Sequence, residues 1–283
     1  MMKIGIVGAG FVGNAVDHGF NKDIEKFIVD PKLGTNIQEL HSFQPEFIFI
    51  CVPTPMLEDG SQDSKILIEV LTEISSFFKN EVVIIKSTVL PTTLKLLEKI
   101  YLNFIYNPEF LREKFANEDF LNSSSLVLGG SSVNTKKVTN LYLNHTECSF
   151  DSILETDPIS ASLMKYTVNT YLASKVVFFN QLHAVFKKSG TTESWKKFIQ
   201  LVSSDSRIGD SHMDVPGHDG KLGFGGACFP KDTSALLELS REFDVEFSLL
   251  KEAIKVNNKI RGSYGSLEDR EKEQGVSFNL LLK

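Results

Sequence analysis

The densest run of chemistry-bearing residues is Gly223-Phe224-Gly225-Gly226-Ala227-Cys228-Phe229-Pro230-Lys231-Asp232. Three glycines in four residues give a backbone that turns tightly and can wrap a ligand. Pro230 suits the first turn of a helix, which puts Cys228 just ahead of a helix N-terminus. That position, with Lys231 near in sequence, lowers a thiol pKa and makes a nucleophile. Asp232, four residues on, is spaced to face the same cavity as an acid–base group. A cysteine taken at random is more often structural. Cys51 and Cys148, each ending an apolar run, fit that description, whereas the neighbours of Cys228 argue for catalysis.

A second constellation opens the chain. Gly8-Ala9-Gly10-Phe11-Val12-Gly13 follows an apolar run and precedes a helix-period segment. The first glycine permits the tight turn, the second lets a pyrophosphate approach the backbone, and the third lets helix and strand pack closely. The pyrophosphate then rests on a helix N-terminus. Asp30 ends the second apolar run, 17 residues after Gly13. A carboxylate there binds ribose hydroxyls and repels a 2′-phosphate, so NAD is the expected cofactor.

The elements that must carry these residues alternate through the first half. Expected strands are Lys3–Val7, Lys26–Val29, Phe47–Cys51, Val82–Lys86, Phe104–Tyr106, Ser125–Leu128 and Glu147–Phe150. Helix-period segments lie between several of them (Ser64–Phe78, Thr92–Ile100, Val133–Leu143), so βαβ units and a mostly parallel sheet follow. From about Asp157 to Lys188 no strong breaker follows Pro158, and one long helix is expected. Further helices are expected at Glu193–Val202, Pro230–Phe243 and Phe247–Ile260, after a glycine-rich loop over Ser203–Ala227. The fold class is therefore α/β: a Rossmann-type, mostly parallel sheet followed by an all-helical domain entered by a long connecting helix. The expected boundaries are 1–153, 154–262, and a short polar tail over 263–283 read as loosely ordered.

Bulk properties exclude several classes. A net charge of −6, with no basic block, argues against a nucleic-acid surface. No apolar run reaches the roughly 20 residues needed to span a bilayer. Three scattered cysteines make neither a disulfide framework nor a zinc cluster, which suits a reducing, cytoplasmic setting. His212 and His218, six apart in a glycine loop, are read as solvated or substrate-facing, and no metal is expected.

Seven segments in order resemble the UDP-glucose/GDP-mannose dehydrogenase family: GAGFVG, CVPTP (Cys51–Pro55), KSTV (Lys86–Val89), NPEFLRE (Asn107–Glu113), KYTVN (Lys165–Asn169), DSRIG (Asp205–Gly209) and GFGGACFPKD. The resemblance implies NAD-dependent oxidation of a sugar C6 alcohol to a carboxylate by two hydride transfers, with UDP-glucose the expected substrate. It implies that Cys228 forms a thiohemiacetal and then a thioester. Lys165 and Asn169, one helical turn apart, resemble the donors to the oxyanion. Thr88 and Asp232 resemble the pair that holds the catalytic water, and Glu109 and Glu113 the acids near the thioester, one of which activates that water. Phe110, Leu111, Phe224 and Gly225 take substrate-lining roles. Gly8, Gly10, Phe11, Val12, Gly13, Asp30, Thr54, Thr88 and Lys231 take cofactor roles. Arg207 resembles the arginine that reaches a neighbouring subunit's substrate, so a homodimer built on the long helix is implied, with the active site in the cleft between the domains.

The family pattern also carries a third, nucleotide-gripping α/β domain, and no strand–helix alternation follows residue 262. Three readings stay open: a compact nucleotide-sugar dehydrogenase in which partner, loop or tail takes over that role; a two-domain enzyme for a small hydroxyacid or sugar acid; and a non-catalytic nucleotide-binding remnant. The intact GACFPKD favours the first.

Overall fold

Strands buried on both faces read as continuous apolar runs, and the middle of the sheet follows that rule. The computed structural model describes residues 1–279. Its sheet contains β1 (Met2–Val7), β2 (Ile24–Val29), β3 (Phe47–Ile50), β4 (Val82–Ile85), β5 (Phe104–Tyr106), β6 (Ser125–Gly129) and β7 (Ser152–Thr156), in the order β2-β1-β3-β4-β5-β6-β7. Every pairing is parallel except that of β5 with β6. β3 (FIFI) and β4 (VVII) are buried at every position.

Two compact units divide the chain: Met1–Thr54 with Asp63–Lys165, and Pro55–Gln62 with the residues from Tyr166 onward. In the first, the strand period of two sends alternate side chains to two apolar layers. Ile48, Ile50, Val83 and Ile85 pack with Leu40 of α2 (Ile37–Phe43), Leu71 of α3 (Lys65–Phe77) and Leu94 of α4 (Pro91–Ile100). Phe47, Phe49, Val82 and Ile84 pack with Val16 of α1 (Phe11–Gly19), Phe120 of α5 (Ala116–Leu121) and Tyr142 of α6 (Ser132–His145). The chain reverses its winding between β1 and β3, so the loops after their carboxyl ends flank the switch point where open α/β sheets take ligands.

α7 (Pro158–Lys188) starts with proline in its first turn, and Asp157 accepts the Ser160 N–H at 2.9 Å. The remaining helices are α8 (Trp195–Ser203), α9 (Phe229–Glu242), α10 (Ser248–Gly262) and α11 (Asp269–Glu273). Trp195 of α8 packs on His183 and Phe186 of α7 and donates to the Met213 carbonyl. α9 and α10 join through Leu237, Leu250 and Ile254.

Two expectations are corrected, and two short helices are added. The last strand is Ser152–Thr156, not Glu147–Phe150. Cys148 and Phe150 face a core layer without joining a ladder, while the true edge strand exposes Ile153 and Leu154 and so lacks an inward pattern. α2 and α5 give no helical period in the sequence because each is under two turns long, although Asn36 and Glu39 form a capping box at the start of α2. The tail is ordered as far as it is described, with α11 inside it and Glu271 buried; residues 280–283 of the expected tail lie outside the described residues.

Candidate active site

The glycine turn after β1 has the close approaches its composition demands. A Cβ on Gly13 would lie 1.8 Å from the Gly8 carbonyl oxygen, and one on Gly8 would lie 2.7 Å from the Cys51 oxygen. A Cβ on Gly10 would meet nothing within 4 Å, which leaves open ground at the head of α1. Among the described residues no side chain caps that helix. Phe11 and Val12 form its first turn. Asp30 accepts the Ala9 N–H at 2.8 Å and the Lys32 N–H at 2.8 Å. The Ala9 N–H holds its carboxyl below the usual carboxylate range, so it is ionised at neutral pH. An uncapped helix start, room at Gly10 and a fixed carboxylate at the end of β2 fit a dinucleotide. Thr54 is buried and donates to the Thr88 carbonyl at 2.9 Å, joining the loops after β3 and β4.

Beyond β4 and β5 lies a buried polar group. Lys86 donates to Asn107 Oδ1 at 2.9 Å, and Tyr142 donates to the same oxygen at 2.7 Å. Asn107 in turn donates to the Val127 carbonyl at 2.8 Å. Burial pushes the Lys86 ammonium down to about 8 and the neighbouring Cys51 thiol up to about 12, so Cys51 is a protonated core residue. Two residues past Asn107, Glu109 is 7% exposed and accepts the Leu111 N–H at 2.7 Å. Lys165, 3% exposed, donates to the Glu109 backbone carbonyl, sits 3.3 Å from Glu109 Oε1, and lies 5.0 Å above the Phe110 ring. Glu113 is exposed, in a short 3-10 turn.

The second unit holds the cysteine loop. Cys228 is the N-cap residue of α9, is partly buried, and belongs to no disulfide. Asp232 is 1% exposed; its Oδ2 accepts from the Asn169 amide at 2.6 Å and its Oδ1 from the Lys231 ammonium at 2.5 Å. Lys231 thus spends its charge on Asp232, and the N-terminus of α9 lies at Cys228. The glycines before the cysteine are held by side chains: Gly223 N–H by Asn180, Phe224 N–H by Asn257, Gly226 N–H by Glu271. Arg207 is 86% exposed and forks onto Asp205, its Nη2 2.5 Å from Oδ2. Lys175 fixes that segment by donating to the Ile208 carbonyl at 3.0 Å.

The structure thus brings together Glu109, Phe110 and Lys165 in one unit, and Asn169, Lys231, Asp232 and the Cys228 loop in the other. Lys165 and Asn169 are both on α7, with the unit boundary between them. The sequence reading gave no role to Lys86, Asn107, Asn180, Asn257, Arg261 or Glu271. Lys86 and Asn107 stood inside quoted motifs, and only their burial marks them. Among the described residues no three His, Cys, Asp or Glu side chains cluster as a metal site, and no helix is long and apolar enough to cross a membrane.

A nucleotide-binding α/β unit joined to helices that present a cysteine at a helix start defines the class. Residues 25–146 match the NAD binding domain of the UDP-glucose/GDP-mannose dehydrogenase family and residues 159–259 its central domain. The chain belongs to that family. It is similar to a UDP-glucose 6-dehydrogenase of Campylobacter jejuni, 31% identical across all of this chain and 79% of that one. Other curated relatives with that name are matched over only 49–52% of their length, so the chain spans about half of them. Among solved structures, a UDP-glucose dehydrogenase from the archaeon Pyrobaculum islandicum superposes with a TM-score of 0.74 at 25% identity, over 92% of this chain and 68% of that one. A Mycobacterium tuberculosis 3-hydroxyisobutyrate dehydrogenase superposes at 0.71 with 16% identity, over 95% and 97%, a likeness of fold alone.

Proposed function

We propose that this chain oxidises the C6 alcohol of a nucleotide sugar to the carboxylate, converting UDP-glucose to UDP-glucuronate with reduction of two NAD. The observation that carries this reading is the buried Asn169–Asp232–Lys231 network one helical turn after Cys228. A simple hydroxyacid dehydrogenase performs one oxidation and needs no cysteine at the head of the helix that carries Asp232.

NAD, when bound, supplies the hydride acceptor. In this reading Gly8, Gly10 and Gly13 let its pyrophosphate approach backbone, and Asp30 takes the ribose hydroxyls. Thr54 and Thr88 tie the neighbouring loops that flank it. After the first oxidation the Cys228 thiolate adds to the aldehyde carbon, forming a C–S bond and an oxyanion. Lys165, desolvated and already fixed by Glu109, stabilises that charge by donation, and Asn169 does so with its second amide hydrogen. Asp232, doubly held and dry, accepts the hydroxyl proton in the oxidative steps. Once the thiohemiacetal has become a thioester, water adds to the acyl carbon, the C–S bond breaks, and thiol and carboxylate are released. Buried Glu109, rather than exposed Glu113, orients that water. Phe110, Leu111, Phe224 and Gly225 line the sugar, and Lys231 serves by fixing Asp232.

NADH released per sugar is the direct test, with limiting UDP-glucose and excess NAD. Two NADH and UDP-glucuronate are expected. One NADH, or NADH from a small hydroxyacid in place of the nucleotide sugar, would overturn the reading.

The working unit in this reading is a homodimer. Tyr171, Phe178 and Val185 are exposed at seven-residue spacing along α7, an apolar stripe that a second copy would cover. Arg207, extended into solvent, is then available to the partner's substrate. Sedimentation should give a dimer; a monomer at micromolar concentration refutes it.

A further inference from the structure

Glu271 reaches the cysteine loop from beyond the family match, which ends at residue 259. It is 1% exposed. Its Oε1 accepts the Gly226 N–H at 3.0 Å and lies 3.6 Å from Arg261 Nη2. Its Oε2 accepts the Glu268 N–H at 2.8 Å, closing the cap of α11. Arg261, 4% exposed, is held from another side by Asp219 at 2.6 Å, and its Nε and Nη1 have no hydrogen-bond partner among the described residues. A Cβ on Gly225 would fall 1.5 Å from Arg261 Nη2 and 2.6 Å from Glu271 Oε1. The Gly225–Gly226 backbone therefore lies directly on this charged pair.

The loop cannot set its own shape. Gly226 sits at φ +77, and a glycine-rich backbone has many conformations of similar energy. A charge-assisted bond from a buried carboxylate selects one of them. The segment that supplies the carboxylate is itself fixed. Gln274 O accepts the Met56 N–H at 2.9 Å, Val276 is buried, Glu268 pairs with Lys221 at 3.1 Å, and the Tyr264 hydroxyl accepts the Leu222 N–H at 2.8 Å.

We propose that Glu271 is a positioning residue for Cys228: held by Arg261, its carboxylate fixes the Gly226 N–H and thereby the turn that presents the thiol at the head of α9. A plug that leaves when substrate arrives is disfavoured, because both partners of the pair are buried, the segment is bonded at three further points and Val276 is buried. This inference rests on the catalytic reading of Cys228.

The test is the rate of Cys228 alkylation by iodoacetamide across pH, with Cys228→Ser as the blank for the other two thiols, beside kcat and KM. Glu271→Ala is expected to raise the pH midpoint of alkylation by about one unit and lower kcat about tenfold, with KM for NAD within twofold. Glu271→Gln keeps an oxygen for the Gly226 N–H and is expected to restore both to within about threefold. If the alanine variant does not fold, Glu271→Asp, one methylene too short to reach Gly226, carries the same expectation. An unmoved midpoint in the folded variants overturns the proposal, as does a kcat that rises, which would mark Glu271 as a plug. Alkylation needs no turnover, so a native chain that makes no NADH defeats the dehydrogenase reading while the midpoint still decides this one.

Discussion

Cys228→Ser is expected to lower acid formation by at least about a thousandfold while leaving NAD affinity within twofold. The two effects separate because the residues lie in different places. NAD is assigned to the glycine turn and Asp30 of the first unit, and Cys228 heads α9 in the second. A serine hydroxyl at that N-cap is a stronger hydrogen-bond acceptor than the thiol and caps the helix at least as well, so folding should not suffer. What it cannot do at neutral pH is ionise, and an alkoxide leaves an acyl group far less readily than a thiolate. The converse variant is Asp30→Ala, expected to weaken NAD binding about tenfold while leaving alkylation of Cys228 unchanged. The Asp30 carboxylate is held ionised by the Ala9 N–H, and its loss removes both the ribose acceptor and a tie on the glycine turn. Titration of NAD by fluorescence and alkylation by iodoacetamide read the two variants independently. Acid formed by Cys228→Ser at more than a tenth of the native rate would remove the thioester from the mechanism.

Some of this site was legible in the residues and some was not, for physical reasons. The glycine turn was legible because close backbone approach leaves no alternative residue; at Gly13 a methyl group would overlap a carbonyl oxygen. β3 and β4 were legible because burial on both faces demands an unbroken apolar run. β7 was not, since its outer face is exposed and its pattern resembles a loop. Spacing placed Asp232 near Cys228 but could not say what holds Asp232. Its partner Asn169 is 63 residues away, and only the fold joins them. Glu271 was hidden most completely. It stands in a run of charges that composition assigns to solvent, and its burial depends on Arg261 and on a backbone N–H two residues before Cys228. The one local signal was the spacing of Glu268 and Glu271, which is that of a capping box.

Lys165→Met should separate stability from catalysis at the same position. Methionine matches the length of the lysine stem and keeps the contact with Phe110, but takes the ammonium from beside the Glu109 carboxylate, which keeps the Leu111 N–H. Breaking a buried pair in this way costs about 3–5 kcal/mol, because one charge stays desolvated without its partner. Turnover is expected to fall by about a hundredfold to a thousandfold, the usual effect of losing one oxyanion donor. The single variant cannot tell these causes apart, since a destabilised chain also loses activity. The double variant Lys165→Met/Glu109→Gln can. A neutral amide removes the stranded charge, so denaturant unfolding should show most of the lost stability recovered, with coupling between the two sites of about 1–3 kcal/mol. Turnover should stay at least as low as in the single variant, because neither the cation nor the carboxylate has returned. Recovery of kcat along with stability would make Lys165 a structural partner of Glu109 and would leave the oxyanion to Asn169 alone.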